Sequence, residues 1–124
     1  MDAAANTVAE PVMSTALPVE RAFDGRLYMD VQINDEAIRV MVDTAASHSV
    51  LRAEDARLAN IAITGETRLR TAGGVVSAKE GAAEAILVAG HSLTEQRILI
   101  ADDLPVSLLG MDILQTLEGV HIRL

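Results

Sequence analysis

Residues Val40 to Leu51 read V-M-V-D-T-A-A-S-H-S-V-L. An apolar strand runs into an aspartate, passes through Thr44-Ala45-Ala46-Ser47, and gives way to a second apolar strand. A carboxylate held where two buried strands meet is costly unless hydrogen bonds compensate it or chemistry requires it. The fold must therefore deliver Asp43 into a tight turn beside its own core. A second constraint lies in Val106-Ser107-Leu108-Leu109-Gly110-Met111-Asp112-Ile113-Leu114, where an apolar strand meets a glycine and a short apolar helix.

The hydrophobic-hydrophobic-Asp-Thr-x-Ala-Ser turn and the Leu-Leu-Gly-x-Asp-x-Leu segment together resemble the retropepsin-like aspartic proteases, particularly their cellular and bacterial branch. The resemblance covers roughly Phe23 to Leu124. It implies an all-β acid-protease fold, a single-lobe barrel or sandwich with one short C-terminal helix, working as a homodimer. Asp43 falls on the catalytic position of that family, supported in the loop by Thr44 and Ala45. Ala46, Ser47 and His48 fall on substrate-facing positions, and Leu109, Gly110 and Asp112 on positions that support the site. The family normally has glycine where this chain has Ala45. A negative φ at Ala45 would accommodate the methyl group, whereas a positive one would strain the loop by roughly 1–3 kcal/mol.

Composition sets independent bounds. With one Phe, one Tyr and no Trp among 124 residues, half of them apolar, the core must come from Val, Ile, Leu, Met and Ala. Such residues suit strands in a small sandwich or barrel. The formal charge of −8 and ten scattered Lys and Arg residues argue against a nucleic-acid partner. No apolar run approaches the roughly twenty residues needed to span a bilayer. Cysteine is absent, and His48, His91 and His121 lack metal-ligand spacing, so neither a metal nor another cofactor is expected. Met1 to Pro18 has neither the basic start nor the apolar stretch of a signal peptide. Residues 1–20 read as a flexible leader, or the remnant of a tether, and 21–124 as the domain. Relatives resembled here are often exported or membrane-anchored, which implies a periplasmic or tethered location.

Along the chain, Leu27, Met29, Val31 and Ile33 alternate, Asn34-Asp35-Glu36 supplies a turn, and Ile38 to Val42 returns, forming a hairpin that ends at Asp43. Arg52 to Ala59 contains good helix formers for about two turns. Gly73 and Gly74 tip a hairpin between Thr67–Thr71 and Val75–Ala78. By resemblance that hairpin is a flap over bound peptide, although an ordinary turn would look the same. Glu84–Ala89 and Arg97–Ala101 form a further hairpin around Gly90-His91-Ser92. Asp102-Asp103 reads as a hydrated loop, Met111–Leu117 as a brief helix, and Val120–Leu124 as a closing strand. By resemblance the edge of that strand is covered by the partner chain.

Only one Asp-Thr loop is present. By resemblance, the reaction is peptide hydrolysis by a water activated between two Asp43 carboxylates, one per subunit, acting on a peptide or protein substrate. Carboxylates a few ångströms apart cannot both ionise comfortably, so such a pair titrates as a unit. Thr44 would bond across the dimer to the other loop, or merely cap the turn. Asp112 would brace the catalytic loop, or stabilise a helix start. The alternative from another class is the same fold kept as a peptide-binding or dimerisation module, with Ala45 marking lost chemistry.

Overall fold

The structure, a computed structural model, describes residues 15–71, 73–117 and 120–122. In chain order the elements are β1 (Thr15–Leu17), β2 (Glu20–Arg21), β3 (Leu27–Ile33), β4 (Glu36–Val42), β5 (Val50–Arg52), α1 (Ala53–Leu58), β6 (Ala62–Thr71), β7 (Gly74–Val88), β8 (His91–Ala101), β9 (Ser107–Leu109), α2 (Met111–Leu114) and β10 (Val120–Ile122).

Period-two alternation builds the first hairpin. Met29, Val31 and Ile33 of β3, and Ile38, Val40 and Val42 of β4, point into the core, while Asp30, Gln32, Ala37 and Arg39 are exposed. The strands pair from Tyr28↔Met41 to Ile33↔Glu36. Asn34 and Asp35 take positive φ between them, a conformation that short polar side chains tolerate better than others. Asn34 also ties the turn to its surroundings, because its side chain donates to the Ala59 carbonyl and accepts from the Ala85 amide.

The main sheet runs β2-β3-β4-β9-β5-β8-β7-β6, and β7 also pairs with β3 through Gln32↔Leu87 and Ile33↔Ile86. That second pairing closes β3, β4, β9, β5, β8 and β7 into a barrel. Met29, Ile38, Leu51, Ile86, Ile98 and Ile113 are among its fully buried side chains. Each contributes about 1.5–3 kcal/mol by leaving water. The far half of β7 belongs to the barrel, and its near half extends outward with β6 as a hairpin turning at Thr71↔Gly74. Gly74 has φ of +121°, which explains a glycine at that tip.

Thr15–Leu17 and Glu20–Arg21, within the stretch expected to be a leader, form strands, and Leu17 is buried in the core cluster. Composition hides this because three residues carry too short a pattern to register. Residues 1–14 lie outside the described residues, as do Ala72, Glu118, Gly119, Arg123 and Leu124. In addition, β10 pairs in parallel with the chain's own β1, from Val120↔Thr15 to Ile122↔Leu17, so one edge of the closing strand is covered within the protomer.

A polar cluster fastens α1 to the barrel. Arg52 donates from Nε and Nη2 to the two oxygens of Asp55, each at 3.0 Å, and Ser107 Oγ donates to Asp55 Oδ2 at 2.6 Å. The Arg52 amide donates in turn to Ser107 Oγ, and Ser107 is wholly buried. Burial pushes the Asp55 carboxyl up, but hydrogen bonds from Arg52 and Ser107, with the Arg52 charge, outweigh it and hold the group below its ordinary 3.8. A pKa lower in the folded chain than in the unfolded one means that ionised Asp55 favours folding. That contribution is present above the ordinary value and disappears as pH falls through the lowered one. Asp55→Asn is expected to cost about 1–3 kcal/mol at neutral pH. Denaturant melts at stepped pH check it, the gap to wild type shrinking in strong acid.

Candidate active site

Strand β4 ends at Val42, and the next residue is Asp43. The turn is held from two sides by the segment entering α2. The Asp43 amide donates to the Leu109 carbonyl at 3.0 Å, and the Met111 amide donates to the Ala46 carbonyl at 2.8 Å. Within the turn, the Ala46 amide donates to the Asp43 carbonyl, and the Ala45 amide donates to Asp43 Oδ1 at 3.0 Å. The carboxylate is half-buried, with one oxygen oriented by the backbone. Thr44, Ala45, Ser47 and His48 are exposed beside it, and Ala46 is half-buried.

Gly110 lies where the two segments cross. A Cβ there would stand 2.6 Å from the His48 carbonyl oxygen and 2.9 Å from that of Ala46, both backbone atoms. Only a residue without a side chain permits this approach.

Asp112 braces the loop from below. Ser49 donates its amide to Asp112 Oδ2 at 3.0 Å and its hydroxyl to Oδ1 at 2.7 Å. The Gly110 amide donates to Ser49 Oγ, and the Ile113 amide to Asp112 Oδ1. One carboxylate thus joins the segment after the Asp43 turn to α2 and accepts from a donor in the first turn of that helix. Ser49, buried at the hub, was not singled out as a site residue from sequence. The signal was available: a hydroxyl at an inward position directly before Val50-Leu51, which must find partners.

Of the residues chosen from sequence, the structure gathers Asp43 to His48 with Leu109, Gly110 and Asp112. Gly73 and Gly74 stand apart at the hairpin tip, where Thr71 Oγ1 accepts from the Gly73 amide and donates to the Gly74 carbonyl. Ser47 Oγ and His48 Nδ1 are 3.1 Å apart on the surface, while Ser49 points inward, so these neighbours do not assemble a nucleophile.

Ala45 is unstrained. Among the described residues, the non-glycine positions with positive φ are Asn34, Asp35, Asn60, Ala89 and Glu95. Ala45→Gly is therefore expected to relieve nothing and to lower stability by at most about 1 kcal/mol through added freedom in the unfolded chain, as a shift in denaturant midpoint would record.

No three His, Cys, Asp or Glu residues cluster to hold a metal among the described residues. No helix among them is long and apolar enough to cross a membrane.

Residues 29–116 match the family of gag-polyprotein putative aspartyl proteases. No curated protein matches the chain in sequence. Among solved structures, a retropepsin-like aspartic protease from Rickettsia conorii is similar at 29% identity and a TM-score of 0.69, covering 85% of this chain and 80% of its own. The EIAV protease complexed with the inhibitor HBY-793 is similar at 32% identity and a TM-score of 0.70, covering 82% of this chain and 96% of its own. With an Asp-Thr turn at the end of a barrel strand, braced by a Leu-Leu-Gly segment, and with these likenesses across most of its length, the chain belongs to the retropepsin-like aspartic protease family.

Proposed function

We propose that the chain is an aspartic endopeptidase in which two Asp43 side chains, one from each of two identical subunits, activate a single water. The observation that carries this reading is the Asp43 turn itself: a half-exposed carboxylate, oriented by the Ala45 amide and pinned through Leu109, Met111 and the Ser49–Asp112 bonds. So many fixed contacts around one reachable acid make a preorganised centre rather than a solvated loop. The relationship to a viral protease whose structure holds an inhibitor supports the same chemistry.

One Asp43 supplies only half of it. The two carboxylates share one proton. The ionised member takes a proton from the water as oxygen attacks the scissile carbonyl carbon, and the protonated member gives its proton to the carbonyl oxygen. When the tetrahedral intermediate collapses, the first carboxyl returns its proton to the amide nitrogen, the carbon–nitrogen bond breaks, and one hydroxyl of the gem-diol gives its proton to the second carboxylate as the carboxyl product forms. No covalent enzyme intermediate forms, and the pair ends with one proton as it began.

Features of the protomer favour a second copy. The Thr44 hydroxyl is exposed and forms no hydrogen bond within the protomer among the described residues, which leaves it for the partner's loop. Tyr28 pairs with Met41, so the turn preceding β3 lies at the Asp43 end of the sheet. Phe23 in that turn is fully exposed, as an aromatic awaiting an interface would be. Ala46, Ser47 and His48 would face the substrate, with the Gly73-Gly74 tip closing over it.

Digestion of a peptide library at mildly acidic pH tests the reading. Cleavage by the purified chain is expected. Peptide binding without cleavage at any pH would mean a non-catalytic module.

A further inference from the structure

Between the β6/β7 hairpin and the turn after β8 lies a cavity of about 450 Å³. Leu69, Val76 and Leu104 give it apolar walls, and Asp102 and Asp103 stand at the same cavity. Leu69 and Leu104 pack on a small cluster of Val50, Leu99 and Ala101, and Val50 is the first strand residue after the Asp43 turn. The cavity's roof is the hairpin, where Leu69 pairs with Val76 close to the glycine tip.

Glu20, Asp30, Glu54, Asp55 and Glu80 each meet an arginine, whereas neither Asp102 nor Asp103 has an ion-pair partner among the described residues. Lys79 shares an adjoining cavity with Asp102 and Glu66, outside ion-pair distance of Asp102. Asp103 does not border that cavity.

We propose that this pocket takes a lysine or arginine side chain of the peptide that the Asp43 centre cleaves, with its aliphatic stem on Leu69, Val76 and Leu104 and its cation between Asp102 and Asp103. The proposal rests on the peptidase reading and specifies its substrate class. Long basic side chains bury their stems on apolar surface while the head keeps polar company, which is the division this pocket offers. An acidic residue would be repelled, and a neutral aliphatic one would crowd water from two charges and return nothing.

Fluorogenic octapeptide pools carrying lysine, arginine, norleucine, glutamine or glutamate at one position at a time provide the test. At one position, lysine and arginine pools are expected to show kcat/KM roughly five- to tenfold above norleucine, with glutamate lowest. In the Asp102→Asn/Asp103→Asn double variant, checked for folding by circular dichroism, that ratio falls to about one. Equal cleavage of lysine and norleucine pools by wild type, or an unchanged ratio in the double variant, overturns the proposal and leaves the peptidase reading standing. If no pool is cut, the peptidase reading fails and binding decides. Fluorescence polarisation of the same pools on Asp43→Asn protein should then show tighter binding of lysine than norleucine, lost on adding the double change. Equal binding overturns the proposal.

Discussion

Asp43→Asn is expected to reduce kcat/KM by roughly 10³–10⁴-fold or more while leaving the fold in place. The carboxamide keeps an oxygen where Oδ1 accepts the Ala45 amide, and the position is only half-buried, so the turn loses no bond it depends on. What disappears is ionisation. An asparagine cannot take a proton from water, and two of them cannot share one. Stability should stay within about 0.5 kcal/mol of wild type, the range for a change that breaks no structural contact. Cleavage at the wild-type rate by a folded Asp43→Asn protein would mean that the chemistry lies elsewhere.

Gly110→Ala is expected to damage the fold and the reaction together. The new methyl carbon would stand 2.6 Å from the His48 carbonyl oxygen, 2.7 Å from its carbon and 2.9 Å from the Ala46 oxygen. None of these can move cheaply, since Ala46 accepts from the Met111 amide and the Gly110 amide is itself bonded to Ser49 Oγ. A cost of about 2–4 kcal/mol is expected, at or above the upper range for overpacking because backbone rather than a flexible side chain must yield. The displaced loop carries Asp43, and a shift of about 1 Å in a catalytic group costs on the order of a hundredfold in rate. Denaturant melts and peptide cleavage should therefore fall in step. A variant as stable and active as wild type would mean that the loop and the Leu-Leu-Gly segment are not pressed together as described.

The same local physics explains what the sequence disclosed and what it hid. The β3/β4 hairpin was readable because Met29, Val31, Ile33, Ile38 and Val40 alternate without interruption around Asn34-Asp35. The β6/β7 turn was readable from its paired glycines, and α1 from helix formers after Arg52. The loop and its glycine brace were readable because a carboxylate and a glycine in apolar surroundings each require a reason. Three things depended on distant partners. Strand β1 exists through pairing with residues more than a hundred positions away, and nothing within three residues announces that. The 15-residue length of β7 was seen only as two shorter strands, because Gly81 and neighbouring alanines blur its alternation. The inward roles of Ser49, Asp55 and Ser107 arise from each finding a polar partner, which alternation alone does not reveal.

The central claim is that one working centre contains two copies of Asp43. Mixing wild-type and Asp43→Asn chains under conditions that let subunits exchange, and following cleavage of a single peptide at fixed total protein, tests it most directly. If each site needs both carboxylates, activity falls as the square of the wild-type fraction, because only wild-type pairs cleave. Activity that falls in simple proportion to that fraction would show each chain working alone and would contradict the account.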